Sequence, residues 1–468
     1  MKRLAAALAA TIAGSVITLL PAPAHAWEPE TTHAGLAEQA ALASRLHKRL
    51  VSLGFDGGLF EPLTIPPADA PKLLEALRLL SPTHGAVPDA RGRQVALGWL
   101  AAGAALADVP AAHGANHFFD PRTGRGWSEP DRGVISGFTD KVREAVGRAS
   151  LPGRGIPAPD WVTHAQNPLN LENFYAQYTK AVTATSPGER SRHMAAALVA
   201  AGAILHTLGD LGTPSRVRGD EAAHLQPLGG GPDDLGSRFE RIAALAYGRL
   251  GVPAPSRIVT RTRLRDFFST RDGNGLADLI ARSYFSTNTL PASSRIGGDA
   301  KPKLARPLPA LPARLNLMAA SRDEGTMLRT QEGPTAGTCL ARYRVEHSVL
   351  TWSLDDECML EQVTAILPEV AAFETGLLEF LLRGELTIQM TDALVVTGGA
   401  GFGPGTIDVL VEDARGIRTK LSTVQAGGGG ELARVAMPAS GTRVVAVYRG
   451  VDAAGEPLVA VGAMPLAR

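Results

Sequence analysis

A histidine and an aspartate stand four residues apart in the segment 206–210, His-Thr-Leu-Gly-Asp, which follows an apolar run over 194–205. Residues four apart on a helix share a face, so the imidazole of His206 and the carboxylate of Asp210 can reach a common point. Imidazole and carboxylate are both ligands of zinc and similar divalent ions. The spacing also suits a surface ion pair, although Leu208 favours a buried setting. The segment is therefore a candidate metal site.

Another candidate pair lies upstream. Asp108 precedes His117, which begins the segment His-Phe-Phe-Asp-Pro over 117–121. A single histidine of this kind could equally be a core or capping residue, and His113 is an alternative ligand at helical spacing from His117. Asp108 and His117 can belong to the candidate metal site only if the fold brings them close to His206.

The N-terminus adds a different kind of donor. Residues 1–26 combine a basic start, an apolar stretch over 4–20 and an A-x-A cleavage site ending at Ala26, which is typical of a secretory signal peptide. Cleavage would make Trp27 the first residue of the mature chain, with His33 six residues later. A free α-amino group has a pKa of roughly 7.7–8.0 and can bind a metal once deprotonated. We expect a secreted or periplasmic protein.

The elements that must position these residues are mostly helices. Apolar residues at three- and four-residue spacing predict a helical domain over 27–384, with helices at 34–52, 70–80, 93–107, 136–148, 171–186, 190–209, 236–250 and 359–383. Residues 286–335 are rich in Pro, Ser, Arg and Gly, which predicts a loop-rich insertion. Residues 385–468 contain short alternating segments between Gly-rich turns, which predict a small all-β sandwich. The predicted fold class is mainly α with a β-rich C-terminal domain.

Charge and cysteine content narrow the function classes. The chain has 47 Lys+Arg against 46 Asp+Glu, so no strongly basic field favours avid nucleic-acid binding. Beyond the signal peptide no apolar run is long enough to span a bilayer. Cys339 and Cys358 are the only cysteines. In an exported chain such a pair favours a disulfide, and two buried free thiols are the alternative.

The order of these motifs resembles that of the bacterial zinc-dependent phospholipases C and, more distantly, the single-strand zinc nucleases of the same superfamily. The resemblance rests on a mature N-terminal Trp, a His, Asp followed by HFFDP, HTLGDLGTP, and the Glu of SRFE. It covers roughly residues 27–250, and 359–383 matches the expected last helix. It implies a multi-helix fold and hydrolysis of phosphate esters.

The resemblance also implies a set of zinc ligands. It places Trp27, through its amino nitrogen and carbonyl oxygen, and His33 on one zinc ion. It makes Asp210 the carboxylate that bridges this ion to another one. The remaining ligands of that other ion would be Asp108, His117 and His206. Asp108 also matches the family's candidate general base.

A third zinc site of the family is altered in this chain. Arg216 stands where the family has a histidine, and Gly236 stands where it has another, four residues before Glu240. Only Glu240 matches, although His224 in the intervening loop could rebuild the ligand set. Alternatively Arg216 replaces the missing positive charge or binds substrate phosphate, because a guanidinium matches phosphate oxygens bidentately. Two zinc ions are expected, and the third stays open.

These expectations describe a secreted zinc-dependent phosphodiesterase that resembles phospholipase C and hydrolyses phosphate esters, in particular phospholipids, with a metal-activated water. One alternative is a non-catalytic secreted metal-binding or adhesion protein with a degenerate site. The other is a single-strand nuclease-like enzyme, for which neither aromatic stacking sites nor a basic groove stands out, so no specific nucleic acid is expected. Peripheral membrane contact through the C-terminal β domain is an analogy with toxin-like members of the family.

Overall fold

The computed structural model describes residues 29–79, 87–128, 153–228, 235–296, 308–312, 314–331, 336–399, 401–426 and 430–466. The predicted signal peptide, Trp27 and the helix predicted at 136–148 lie outside these residues.

The part of the chain before residue 382 is mainly helical, as predicted. Its helices are Ala34–Ala43, Leu46–Ser52, Pro71–Leu79, Ala96–Leu106, Ala158–Trp161, Leu171–Thr183, Pro187–Gly209, Pro214–Val217, Arg238–Tyr247, Arg265–Phe268, Leu276–Ser283, Leu317–Ala320 and Asp356–Leu381. Two small antiparallel strand pairs accompany them, Pro62–Thr64 with Arg93–Val95 and Gln226–Pro227 with Leu235–Gly236.

The Pro187–Gly209 helix lies at the centre of this region. It begins with a capping box. The Ser186 side chain accepts a hydrogen bond from the Glu189 backbone N–H, and the Glu189 side chain accepts one from the Ser186 backbone N–H. Among the described residues, only the segment Pro187–Gly212 is long and apolar enough to cross a membrane, but 94% of its apolar window is buried inside the protein. It is therefore the core helix of the fold.

Glycines bring this helix into close contact with the Ala96–Leu106 helix. A methyl group on Gly103 would overlap the backbone of Val199, and one on Gly202 would overlap the Leu100 carbonyl oxygen. Only residues without a side chain allow two helix backbones to approach this closely. The contact places the C-terminal end of the Ala96–Leu106 helix, which precedes Asp108, beside the last turn of the Pro187–Gly209 helix.

The last helix, Asp356–Leu381, is predicted by the sequence and packs its apolar face into the same core. The Asp355 side chain caps its first turn by accepting a hydrogen bond from the Cys358 backbone nitrogen at 2.9 Å. Residues Val363, Leu367 and Phe373 are fully buried.

The stretch 286–335, predicted to be a loop-rich insertion, contributes two short strands to a sheet. It contains the strands Ser294–Arg295 and Thr326–Arg329, which form a four-stranded antiparallel sheet with Cys339–Glu346 and Val349–Ser353. Strands this short, between Pro- and Gly-rich turns, carry little local signal, and their pairing partners follow later in the chain. The predicted disulfide between Cys339 and Cys358 joins this sheet to the last helix.

The C-terminal residues form the predicted all-β arrangement. The strands are Leu386–Met390, Leu394–Gly398, Phe402–Glu412, Arg418–Ala426, Glu431–Val435, Arg443–Asp452 and Pro457–Pro465. They form a three-stranded and a four-stranded antiparallel sheet that enclose a common core of side chains such as Val396, Ile407 and Val444. Arg418–Ala426 is not among the predicted strands, because it is mostly polar and its side chains are largely exposed.

The glycine contact between the central helices generates a stability prediction. We expect Gly202→Ala to lower the free energy of unfolding by about 1–3 kcal/mol, because an added methyl group forces the two backbones apart. Gly188→Ala is the matched control, since a methyl group there meets nothing within 4 Å in the same helix. Denaturant unfolding measures both variants, and equal stabilities would contradict the contact.

Candidate metal centre

Four buried side chains meet at the end of the central helix. One ligand atom from each of Asp108, His117, His206 and Asp210 lies within 4.8 Å of the others, and all four residues are buried. Among the described residues this is the one group of three or more histidine, cysteine or acidic side chains that converges in this way. The structure thus brings together four ligands that the sequence suggests.

Each of these residues stands at the end of an element. Asp108 follows the Ala96–Leu106 helix, and His117 is the last residue of the short helical segment Ala111–His117. His206 lies in the last turn of the central helix, and Asp210 is the residue that caps its C-terminus. The close helix contact therefore helps to bring Asp108 within 3.4 Å of His206.

The distances fit a single small cation. His117 Nδ1 lies 3.1 Å from Asp108 Oδ1 and 2.7 Å from Asp210 Oδ2. His206 Nε2 lies 3.4 Å from Asp108 Oδ2 and 3.1 Å from Asp210 Oδ2. Ligand atoms that surround one zinc ion at about 2.0–2.2 Å are roughly 3.3–3.6 Å apart in a tetrahedral site. A small outward shift of the closer pairs would accommodate the ion.

The second nitrogen of His206 is also accounted for. His206 Nδ1 lies 2.6 Å from the carbonyl oxygen of Ala104, in the neighbouring helix. A hydrogen bond from Nδ1 to this oxygen leaves Nε2 free to face a metal, which is the usual arrangement for a metal-bound histidine. The backbone contact at Gly103 and Gly202 is what brings the Ala104 carbonyl this close.

His33 reaches the opposite oxygen of the same aspartate. Its Nε2 lies 3.0 Å from Asp210 Oδ1, and its ring stacks on His206 with the centroids 3.5 Å apart. The two oxygens of Asp210 thus face different imidazoles, His33 on one side and both His117 and His206 on the other. A carboxylate that bridges two ions requires this division.

Buried charges in the site balance one another. Burial opposes ionisation of Asp108 and Asp210, but neighbouring cationic groups, His206 among them, hold the pKa of both carboxyls well below the usual range. Burial also opposes a charge on His206, yet Asp210 and Asp108 raise its pKa to about 10. Burial and the charge of His206 lower the pKa of His33 to about 4. The metal-free site therefore carries a proton where a metal cation would bind.

Arg216 extends the charge network toward Glu240. Its Nη1 lies 3.4 Å from Asp210 Oδ2, and its Nε donates to Glu240 Oε1 at 3.2 Å. The guanidinium also lies 4.7 Å above the centroid of the Phe118 ring. Burial raises the pKa of Glu240 to about 8, although the charge of Arg216 acts in the opposite direction. The guanidinium therefore lies within ion-pairing distance of both buried acids.

His224 does lie beside Glu240, with its Nδ1 3.7 Å from Glu240 Oε2. Its Nε2 is 2.7 Å from the Ser215 hydroxyl oxygen, and burial together with Arg216 keeps the pKa of the imidazole well below its usual range. Gly236 has no side-chain atom that could join His224 and Glu240 as a metal ligand. In the described part of the chain, this pair gains no further carboxylate or imidazole ligand, because Arg216 occupies the adjacent position.

His113 does not join the centre. Its ring packs edge-on against Trp161, with the centroids 5.1 Å apart. A buried carboxyl that the sequence analysis missed, Glu374, lies close to His33 and Gly209. A single glutamate within an apolar helical run was its only sequence signal.

No protein-family model and no curated protein matches the chain. Among solved structures, the alpha toxin from Clostridium absonum is 13% identical over 94% of this chain and 93% of its own, with a TM-score of 0.27. The Clostridium perfringens alpha-toxin isolated from avian strain SWCP is 11% identical over 94% of this chain and 99% of its own, with a TM-score of 0.28. The chain is similar to both toxins along nearly its whole length.

The protonated histidine generates a prediction about metal binding. Zinc needs a neutral imidazole, whereas a pKa of about 10 keeps His206 protonated at pH 7. We expect zinc binding at pH 7 to release about one proton and the affinity to rise about tenfold per pH unit below the pKa of His206. Calorimetry in buffers of different ionisation enthalpy measures this release. Binding without proton release would contradict it.

Proposed function

We propose that the chain is an exported, zinc-dependent phosphodiesterase that resembles phospholipase C. The observation that carries the proposal is the division of the Asp210 carboxylate between two sets of imidazoles. His33 faces Oδ1, whereas His117 and His206 face Oδ2. A buried carboxylate with imidazoles on both sides is suited to hold two metal ions close together.

The chain's own residues divide into two ligand sets. One zinc ion would be held by Asp108, His117, His206 and one oxygen of Asp210. The other would be held by the second oxygen of Asp210, by His33 and by the amino group of Trp27 after signal-peptide cleavage. Two zinc ions held in this way would supply Lewis-acid activation of a water molecule and of the substrate phosphate.

The ionised carboxylates and Arg216 would perform the remaining tasks. A metal ion beside Asp108 would keep its carboxylate ionised, so Asp108 could accept the proton of the attacking water. Arg216 supplies a fixed positive charge beside Asp210, where it would contact a phosphate oxygen of the substrate. That charge would compensate in part for the altered third zinc site.

The substrate proposed is a phospholipid, and the protein would reach it outside the cytoplasm. Contact of the C-terminal β domain with the membrane surface belongs to the same proposal. The specific rival is a non-catalytic metal-binding protein, which is favoured by the ion pairs of Arg216 with both Asp210 and Glu240. In that case the guanidinium would only neutralise buried acids.

An activity assay with the zinc-loaded mature protein separates these functions. We expect hydrolysis of phosphatidylcholine vesicles that is lost on chelation and regained with zinc. Asp108→Asn should lower kcat by at least about 100-fold, because it removes the general base and a ligand. Asp69→Asn, which changes an exposed partner of Arg192, is the control. Zinc-loaded protein that cleaves single-stranded DNA instead would support the nuclease, and inactivity on both would support the non-catalytic rival.

The proposed N-terminal ligand gives a separate prediction. Adding one glycine before Trp27 in the mature protein converts the α-amino group of Trp27 into an amide, which is a poor metal donor. We expect this variant to lose about one zinc per chain and its hydrolytic activity. Elemental mass spectrometry measures the metal. Unchanged zinc content and activity would remove Trp27 from the ligand set.

A further inference from the structure

The last helix carries a buried carboxyl that the proposed chemistry does not use. Glu374 is only 1% exposed. Among the described residues, neither of its carboxyl oxygens has a hydrogen-bond partner. Burying a polar group without a partner costs free energy, and the cost is much larger when the group is charged. Glu374 therefore destabilises the metal-free protein.

The carboxyl of Glu374 lies next to Gly209, the residue that precedes Asp210 of the metal centre. A methyl group on Gly209 would collide with Glu374 Oε1 and lie 3.4 Å from His33 Nδ1. The Glu374 carboxyl and the His33 imidazole thus both lie beside Gly209, without a hydrogen bond between them. A glycine at this position leaves room for both groups.

The two nitrogens of His33 face different surroundings. Nε2 lies 3.0 Å from Asp210 Oδ1, on the side of the metal centre. Nδ1 is buried and has no hydrogen-bond partner within the described part of the chain. Two neighbouring buried groups, the imidazole Nδ1 and the Glu374 carboxyl, thus both lack a partner.

A bound cation would change the chemistry of both groups. A metal ion at Nε2 fixes the proton of the ring on Nδ1 and makes that N–H a stronger donor. Metal-bound histidines usually donate this second N–H to a carboxylate, a backbone carbonyl or water, which fixes the orientation of the ring. The positive charge of the ion also stabilises an ionised carboxylate nearby.

We propose that Glu374 is a positioning residue of the metal centre, whose carboxylate accepts a hydrogen bond from Nδ1 of His33 when zinc is bound at Nε2. The inference rests on the proposed function, because it requires His33 to be a zinc ligand. Glu374 would then raise the affinity for zinc without stabilising the metal-free protein. Its removal should therefore lower zinc affinity without lowering the stability of the metal-free protein.

The test compares Glu374→Gln with the wild-type protein in both states. In the metal-free protein we expect an equal or higher melting temperature, because the carboxyl that the amide replaces has no hydrogen-bond partner to lose among the described residues. In the zinc-loaded protein we expect the weaker of two bound ions to lose affinity about 10–100-fold, measured by competition with a chelator. Glu379→Gln is the matched control, since Glu379 lies on the same helix but pairs with Arg45 at the surface. It should leave zinc affinity unchanged.

A spectroscopic signature separates positioning from a merely structural role. In the cobalt-substituted protein, the paramagnetically shifted N–H proton of His33 should exchange with solvent faster in Glu374→Gln than in the wild type. A variant that loses metal-free stability together with zinc affinity, or that keeps the wild-type zinc affinity, would overturn the inference. If the wild-type protein itself binds fewer than two zinc ions, the two-ion proposal fails as well. The wild-type metal content therefore distinguishes the two failures.

Discussion

The structure depends on the burial of the Asp210 carboxylate at the C-terminal end of the core helix. A buried carboxylate is stable only with compensating positive charge and hydrogen bonds. His206 and Arg216 supply the charge, and His33 and His117 approach the two oxygens from different sides. His33 and His117 come from segments far from Asp210 in the sequence, so the fold must hold them beside it. A pair of metal cations would satisfy the same requirement in the mature protein.

Helix packing around Asp210 sets the geometry of the centre. Gly103 and Gly202 let two helix backbones touch, which brings the Ala104 carbonyl within 2.6 Å of His206 Nδ1. The last helix closes the centre on the side of Gly209. On another side of the centre, Arg216 pairs with both Asp210 and Glu240. A guanidinium cannot activate water as a metal can, so this side of the site is suited to bind charge.

How much the sequence could predict depended on whether the signal was local. The spacing of His206 and Asp210 places them on one helix face, and the order of the motifs added Asp108 and His117. Glu374 has no such spacing partner, because its neighbour His33 is distant in the sequence. The sheet that contains Thr326–Arg329 was missed because its pairing depends on later strands. The mostly exposed strand Arg418–Ala426 lacks the apolar pattern of its neighbours.

The central claim is that the Asp210 carboxylate bridges two zinc ions. Anomalous diffraction at the zinc absorption edge, from crystals of the exported and processed protein, tests it most directly. The account predicts two peaks, one on either side of Asp210, with His33 beside one and both His117 and His206 beside the other. It predicts no peak between Arg216 and Glu240. A single peak, or none at Asp210, would contradict the two-ion centre on which the proposed function rests.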